Sequence, residues 1–128
     1  MNSMTLSIPL VAVFGLAGVF ARWRVDVLLA RWSEGFPVGI LTVNFLGSLA
    51  AGAIYGWGVS RATLPPALTV GLLVGFCGGF TTFSTYALQS LLLVEKGQWL
   101  GAALYFGGSP LAGLFGAWCG LALARCAA

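Results

Sequence analysis

The 128-residue chain contains no histidine and only three acidic side chains, Asp26, Glu34 and Glu95, beside six basic ones. Without an imidazole, no nucleophile with a base and an orienting carboxylate can be assembled inside its long apolar runs, which excludes the common enzyme designs. The shortage of acid also weighs against a small multidrug-type transporter, because proton coupling there wants an ionisable residue within a helix and none of the three lies mid-span. The basic residues Arg22, Arg24, Arg31, Arg61, Lys96 and Arg125 form no block, and a net charge of +3 is too small and too scattered for nucleic-acid binding. Cys77, Cys119 and Cys126 lack metal-ligand spacing and sit in apolar surroundings as small packing residues. No Lys or Arg precedes Arg22, so the first apolar run lacks the basic start of a cleaved signal and reads as a retained helix.

What the chain has in abundance is hydrocarbon: 59% of its residues are hydrophobic and 7% are charged. A domain of this size cannot enclose so much apolar surface, so the bilayer is its solvent. The charges divide the sequence into uncharged runs from Met1 to Ala21, Gly35 to Ser60, Ala62 to Val94 and Gly97 to Ala124. About 20 apolar residues cross the hydrocarbon core, so each run accommodates one helix. The expected fold is an all-α membrane protein, a single four-helix transmembrane domain over residues 1–128. Trp23, Trp32, Trp57 and Trp99 fall near the expected helix ends, where an interfacial belt places them.

Topology is weakly specified. If the N-terminus, the Arg61 loop and Arg125 share one side, that side carries two basic side chains, while Arg31 and Lys96, with Arg24 as a third, belong to the other. The positive-inside rule needs an excess on one side and finds almost none. A chain without a preference invites an antiparallel, dual-topology homodimer; the alternative is one orientation set by weak cues. Small residues at four-residue spacing, Gly52 and Gly56, Gly71, Gly75 and Gly79, Gly116 and Gly120, let helices approach closely, within the chain or between chains.

The third run carries GFCGGFTTFSTYALQ, Gly75 to Gln89. Gly78 and Gly79 weaken the helix near its middle, and the expectation is a third helix broken near this pair. A break frees carbonyls suited to a cation and amides suited to an anion, groups that hydrocarbon cannot satisfy; a packing notch in an unbroken helix is the plainer reading. Thr81, Thr82, Ser84 and Thr85 then crowd four hydroxyls together, and Phe83, Tyr86 and Gln89 recur along one helical stripe. Aromatic rings present a positive edge to an anion without adding a charge. Together these describe a dry pathway for a small anion. Asn44, mid-span in the second run, is either an interhelical hydrogen-bonding group or a pore-lining amide. Tyr105 and Ser109 share a face of the fourth, which Gly113 continues. Arg22 either snorkels to the interface, pairs with Asp26, or gives a vestibule a field that gathers anions.

GFCGGFTTFST resembles the signature of the Fluc/CrcB fluoride channels, and GLAGVFARW (Gly15 to Trp23), GILTVNFLG (Gly39 to Gly47) and ALYFGGS (Ala103 to Ser109) agree with that family in order. The resemblance covers essentially the whole chain. It implies an antiparallel homodimer with two fluoride pores in the cell inner membrane, exporting passively the fluoride that enters as neutral hydrogen fluoride. It implies that Phe83 and Tyr86 form the aromatic box, that Asn44 is the pore-lining amide, and that Tyr105 and Ser109 form a polar track. Arg22 is similar to the family's first-helix arginine. A structural sodium ion at the dimer centre is implied on the Gly78 and Thr81 carbonyls of both subunits. Two positions depart from the family: Tyr86 stands where many members have phenylalanine, and Gln89 where many have glutamate. A non-conducting partner subunit of a heterodimeric channel is therefore an alternative.

Overall fold

In the computed structural model, which describes residues 3–127, the regular elements are all helical. Helix α1, Ser3–Leu29, closes with one 3₁₀ turn at Ala30–Trp32. Helix α2, Val38–Tyr55, widens into a π-helical turn at Gly56–Ser60. The third span opens with α3, Pro66–Val70, runs through a π-helical segment, Gly71–Cys77, into α4, Gly78–Phe80, and continues as α5, Ser84–Glu95. Helix α6, Trp99–Cys126, ends the chain. The four spans are each long and apolar enough to cross a membrane.

The boundaries have local causes. Gly35 and Gly97, at φ +84° and +71°, supply the left-handed turns before α2 and α6. Pro66 opens α3 at a position where a missing N–H costs nothing. The guanidinium of Arg31 lies 3.9 Å from the centre of the Trp32 ring, so the interfacial tryptophan carries a cation on its face.

Two backbone-to-backbone seams assemble the spans. Along the first, α1 packs on the third span, and a Cβ on Gly75 would come 2.8 Å from the Val11 carbonyl oxygen, one on Gly79 2.6 Å from that of Gly15. Along the second, α2 packs on α6, and Cβ atoms on Gly52 and Gly120 would run into the carbonyls of Ala117 and Leu49. The four-residue glycine spacings are thus used inside the chain, where close dispersion contact replaces the missing hydrophobic drive. Gly78 and Gly79 are themselves helical; the helix is interrupted over Thr81 to Phe83, with Thr81 extended at φ −83°, ψ 159° and Phe83 already back at helical angles. Gly79 is small because α1 lies against it.

Arg61, in the turn between the second and third spans, reaches across the bundle. Its guanidinium donates to the carbonyls of Ala127 and, at 2.5 Å, of Arg125. These lie at the C-terminal end of α6, in its last turn and at its C-cap, where carbonyls lack helical donors and the dipole favours a cation. Arg61→Ala is expected to lower stability by about 1 kcal/mol, the upper end for an exposed charge on a helix terminus. A melting curve in detergent measures it, and an unchanged midpoint would contradict the assigned role.

Candidate functional site

The site lies where the third span loses its helical ladder. In a continuous helix the Thr82 N–H would donate to the Gly78 carbonyl. Here it donates to Asn44 Oδ1 at 2.8 Å, and Asn44 Nδ2 donates back to the Thr82 carbonyl at 3.1 Å. One side chain from α2 therefore satisfies both backbone groups of a non-helical residue, as a strand partner would. From the other side, Arg22 Nε donates to the Gly79 carbonyl at 3.2 Å, so Arg22 turns to this segment and not to Asp26. Thr81 keeps its own turn by donating its hydroxyl to the Cys77 carbonyl at 2.8 Å.

This exchange leaves two oxygens over. Among the described residues no donor reaches the carbonyl of Gly78 or of Thr81, because Thr82 N–H is taken by Asn44 and Thr85 N–H by the Thr82 hydroxyl at 3.3 Å. Gly78 is exposed on the outside of the single chain.

The hydroxyl row divides by role. Thr82 Oγ1, one residue before the N-cap position of α5, accepts from Thr85 N–H in its first turn and lies 3.2 Å from Thr85 Oγ1 and 3.5 Å from Ser84 Oγ. Asn44, Thr81, Thr82, Phe83, Tyr86 and Ser109, with Pro110, enclose a cleft of about 280 Å³ without a charged side chain. The Ser109 side chain makes no hydrogen bond to the described residues, which leaves its hydroxyl available to the cleft. Phe83 is 79% exposed and Tyr86 6%, with ring centres 5.8 Å apart.

Gln89 and Tyr105 meet one turn further along. Tyr105, fully buried, donates its hydroxyl to Gln89 Oε1 at 2.8 Å, which turns the Gln89 amide N–H groups away from the phenol. Gln89 lines a second, polar cavity of about 360 Å³ with Asp26, Ser33, Lys96 and Gln98. The stripe Phe83, Tyr86, Gln89 therefore has members on both cavities, Phe83 and Tyr86 on the first and Gln89 on the second, and the Tyr86 and Tyr105 rings lie 5.4 Å apart. Phe36 braces Tyr105 edge-on at 5.6 Å.

Sequence reasoning missed two contributors. The first is the Thr82 backbone as Asn44's partner, 38 positions away and without a local signal. The second is Pro110, whose position inside α6 frees the carbonyl of Phe106; Tyr86 donates its hydroxyl to that carbonyl at 2.6 Å. A proline in a spanning helix always leaves such a carbonyl, and that signal was readable.

Residues 9–121 match the model of the family described as "CrcB-like protein, Camphor Resistance (CrcB)". The chain belongs to this CrcB family. It is 47% identical over 119 residues to a "Fluoride-specific ion channel FluC" of Nitratidesulfovibrio vulgaris, covering 92% of this chain and 96% of that relative. A protein of the same name from Pseudomonas fluorescens is 40% identical over 95% of the chain and 99% of its own length. Another from Methylobacterium nodulans is 43% identical over 87% of the chain and 89% of its own length. With four apolar spans in a CrcB chain, the molecule is a multi-pass membrane protein.

Proposed function

We propose that this chain is a fluoride-selective channel of the cell inner membrane, exporting fluoride passively and so relieving its toxicity. The observation that carries the reading is 47% identity across nearly the whole of a relative named a fluoride-specific channel. The cleft supports it: amide, hydroxyl and aromatic side chains line it with no fixed charge that would hold an anion permanently. Asn44, Phe83, Thr82, Ser84, Thr85, Tyr86, Gln89, Tyr105 and Ser109 are assigned to the anion pathway, and Arg22 to its vestibule. The interruption of the third span's helical ladder belongs to this reading as the device that opens backbone groups to ions.

The working unit is an antiparallel homodimer, supported by the nearly balanced distribution of basic residues between the two sides. A sodium ion at its centre fits the donors present. The Gly78 and Thr81 carbonyls are hard oxygens without hydrogen-bond donors, and a two-fold related copy doubles the pair to four. The ion would supply fixed positive charge that holds the two copies together. Replacing sodium by a large organic cation is expected to remove fluoride flux and to lower the melting temperature of the dimer; flux that persists in sodium-free medium would count against the ion.

The test of the function uses liposomes containing only this purified chain, loaded with fluoride or with chloride, and a potassium ionophore to carry countercharge. Rapid fluoride loss with chloride retained is the expected result. Absence of fluoride loss from well-folded protein overturns the self-sufficient channel and directs attention to a second, related subunit.

A further inference from the structure

Pro110 lies inside α6 and has no N–H, so the Phe106 carbonyl four residues earlier loses its helical donor. In hydrocarbon such a carbonyl must be satisfied by another group of the protein. The Tyr86 hydroxyl does this from α5, donating at 2.6 Å. The same tyrosine stacks on the Phe106 ring at 6.0 Å and 15° and lies beside Tyr105 at 5.4 Å. Its ring is therefore held at the hydroxyl tip by a hydrogen bond and flanked by two neighbouring rings, one stacked and one tilted. Phe83, the other ring of the cleft, makes one ring contact, with Tyr86 itself at 5.8 Å, has no hydroxyl to tether it and is mostly exposed.

A buried ring carrying a polar tip needs a partner for that tip, and a mid-helix proline needs a donor for the carbonyl it strands. Each of these two residues supplies what the other requires, across an interface that forms a wall of the cleft. We propose that Tyr86 and Pro110 act as one unit in which the Tyr86 hydroxyl replaces the missing amide of α6 and so sets the angle at which the Tyr86 ring faces the anion. Tyr86 is on this account a positioning residue through its hydroxyl as well as a lining residue through its ring. The hydroxyl itself is spent on the carbonyl and is not offered to the passing ion. The orientation claim rests on the fluoride-channel reading, whereas the exchange of donors does not.

A two-by-two cycle tests it: the unaltered chain, Tyr86→Phe, Pro110→Ala and the double variant, each reconstituted in liposomes and melted in detergent. Tyr86→Phe strands the carbonyl and releases the ring; flux per folded channel is expected to fall about tenfold, within the range of coupling between residues in contact. In the Pro110→Ala background the restored backbone amide supplies the donor, and the same change is expected to alter flux less than about twofold. The cycle is read as the effect of Tyr86→Phe in each background, whatever Pro110→Ala does alone. Equal flux losses in both backgrounds would overturn the unit. Coupling seen in melting but absent from flux would overturn the positioning role, since a purely structural tie moves stability alone. If the unaltered chain passes no fluoride, the channel reading fails and the positioning role with it, while coupled melting still identifies the donor exchange.

Discussion

Asn44→Leu is expected to abolish fluoride efflux from liposomes, with at most about one hundredth of the original rate remaining, because two part-buried backbone groups lose partners at about 1–3 kcal/mol each. Leucine has the same branching and number of side-chain heavy atoms as asparagine, with bulkier methyl groups, so the change removes hydrogen bonds and leaves no cavity. The helical partner of the Thr82 N–H is the Gly78 carbonyl, and returning to it would restore the ladder that Asn44 interrupts. That return would draw the third span toward continuous helix and occupy an oxygen proposed for sodium. The variant should therefore lose its sodium-dependent stability along with its flux while still unfolding in a cooperative melt, which a misfolded chain does not show. Asn44→Asp separates the two hydrogen bonds. A carboxylate still accepts from the Thr82 N–H but cannot donate to the Thr82 carbonyl, and it adds a negative charge beside an anion path. It is expected to be inactive while keeping part of the sodium dependence. Substantial fluoride flux through the leucine variant would mean that Asn44 neither lines the path nor holds the Thr81 to Phe83 segment.

The four spans were legible because hydrocarbon thickness and charge spacing leave few alternatives: the uncharged runs are cut at Arg61 and at Glu95 and Lys96, and the helices turn near those residues. The non-helical segment was legible only approximately. Paired glycines permit a break without requiring one, and Gly79 is small for a different reason, the carbonyl of Gly15 against it. What takes Thr81 to Phe83 out of the helix is a competitor for the Thr82 N–H, supplied by α2 from 38 positions away. Local propensity carries no trace of such a contact. The glycine spacings likewise announced close packing without naming the partner, which proved to be within the chain at Gly75, Gly79, Gly52 and Gly120. Tyr86 is the converse case. Its hydroxyl reads in isolation as an extra polar group for the pathway, and only the proline four residues past Phe106 explains where that hydroxyl goes.

Phe83→Ile should separate conduction from folding more cleanly than any other single change. The ring is 79% exposed on the single chain and outside its buried core, so its replacement costs the chain little stability. Isoleucine keeps a large apolar surface for whatever covers this position, lipid or a second copy. What it lacks is the ring's positive edge, the feature that lets a hydrocarbon side chain attract an anion in a site from which water is excluded. Loss of one preorganised electrostatic partner in a dry site costs about a hundredfold in rate where such losses have been measured, and a fall of that order in fluoride flux is expected. Melting temperature and elution volume should stay at their original values. Phe83→Tyr, which retains the ring edge, should conserve most of the flux. A chain that served only as a non-conducting packing subunit would show no difference among the three proteins. A chain in which Phe83 merely filled space would treat isoleucine and tyrosine alike, so the order phenylalanine, tyrosine, isoleucine in flux at constant stability is the signature of an aromatic edge facing an anion.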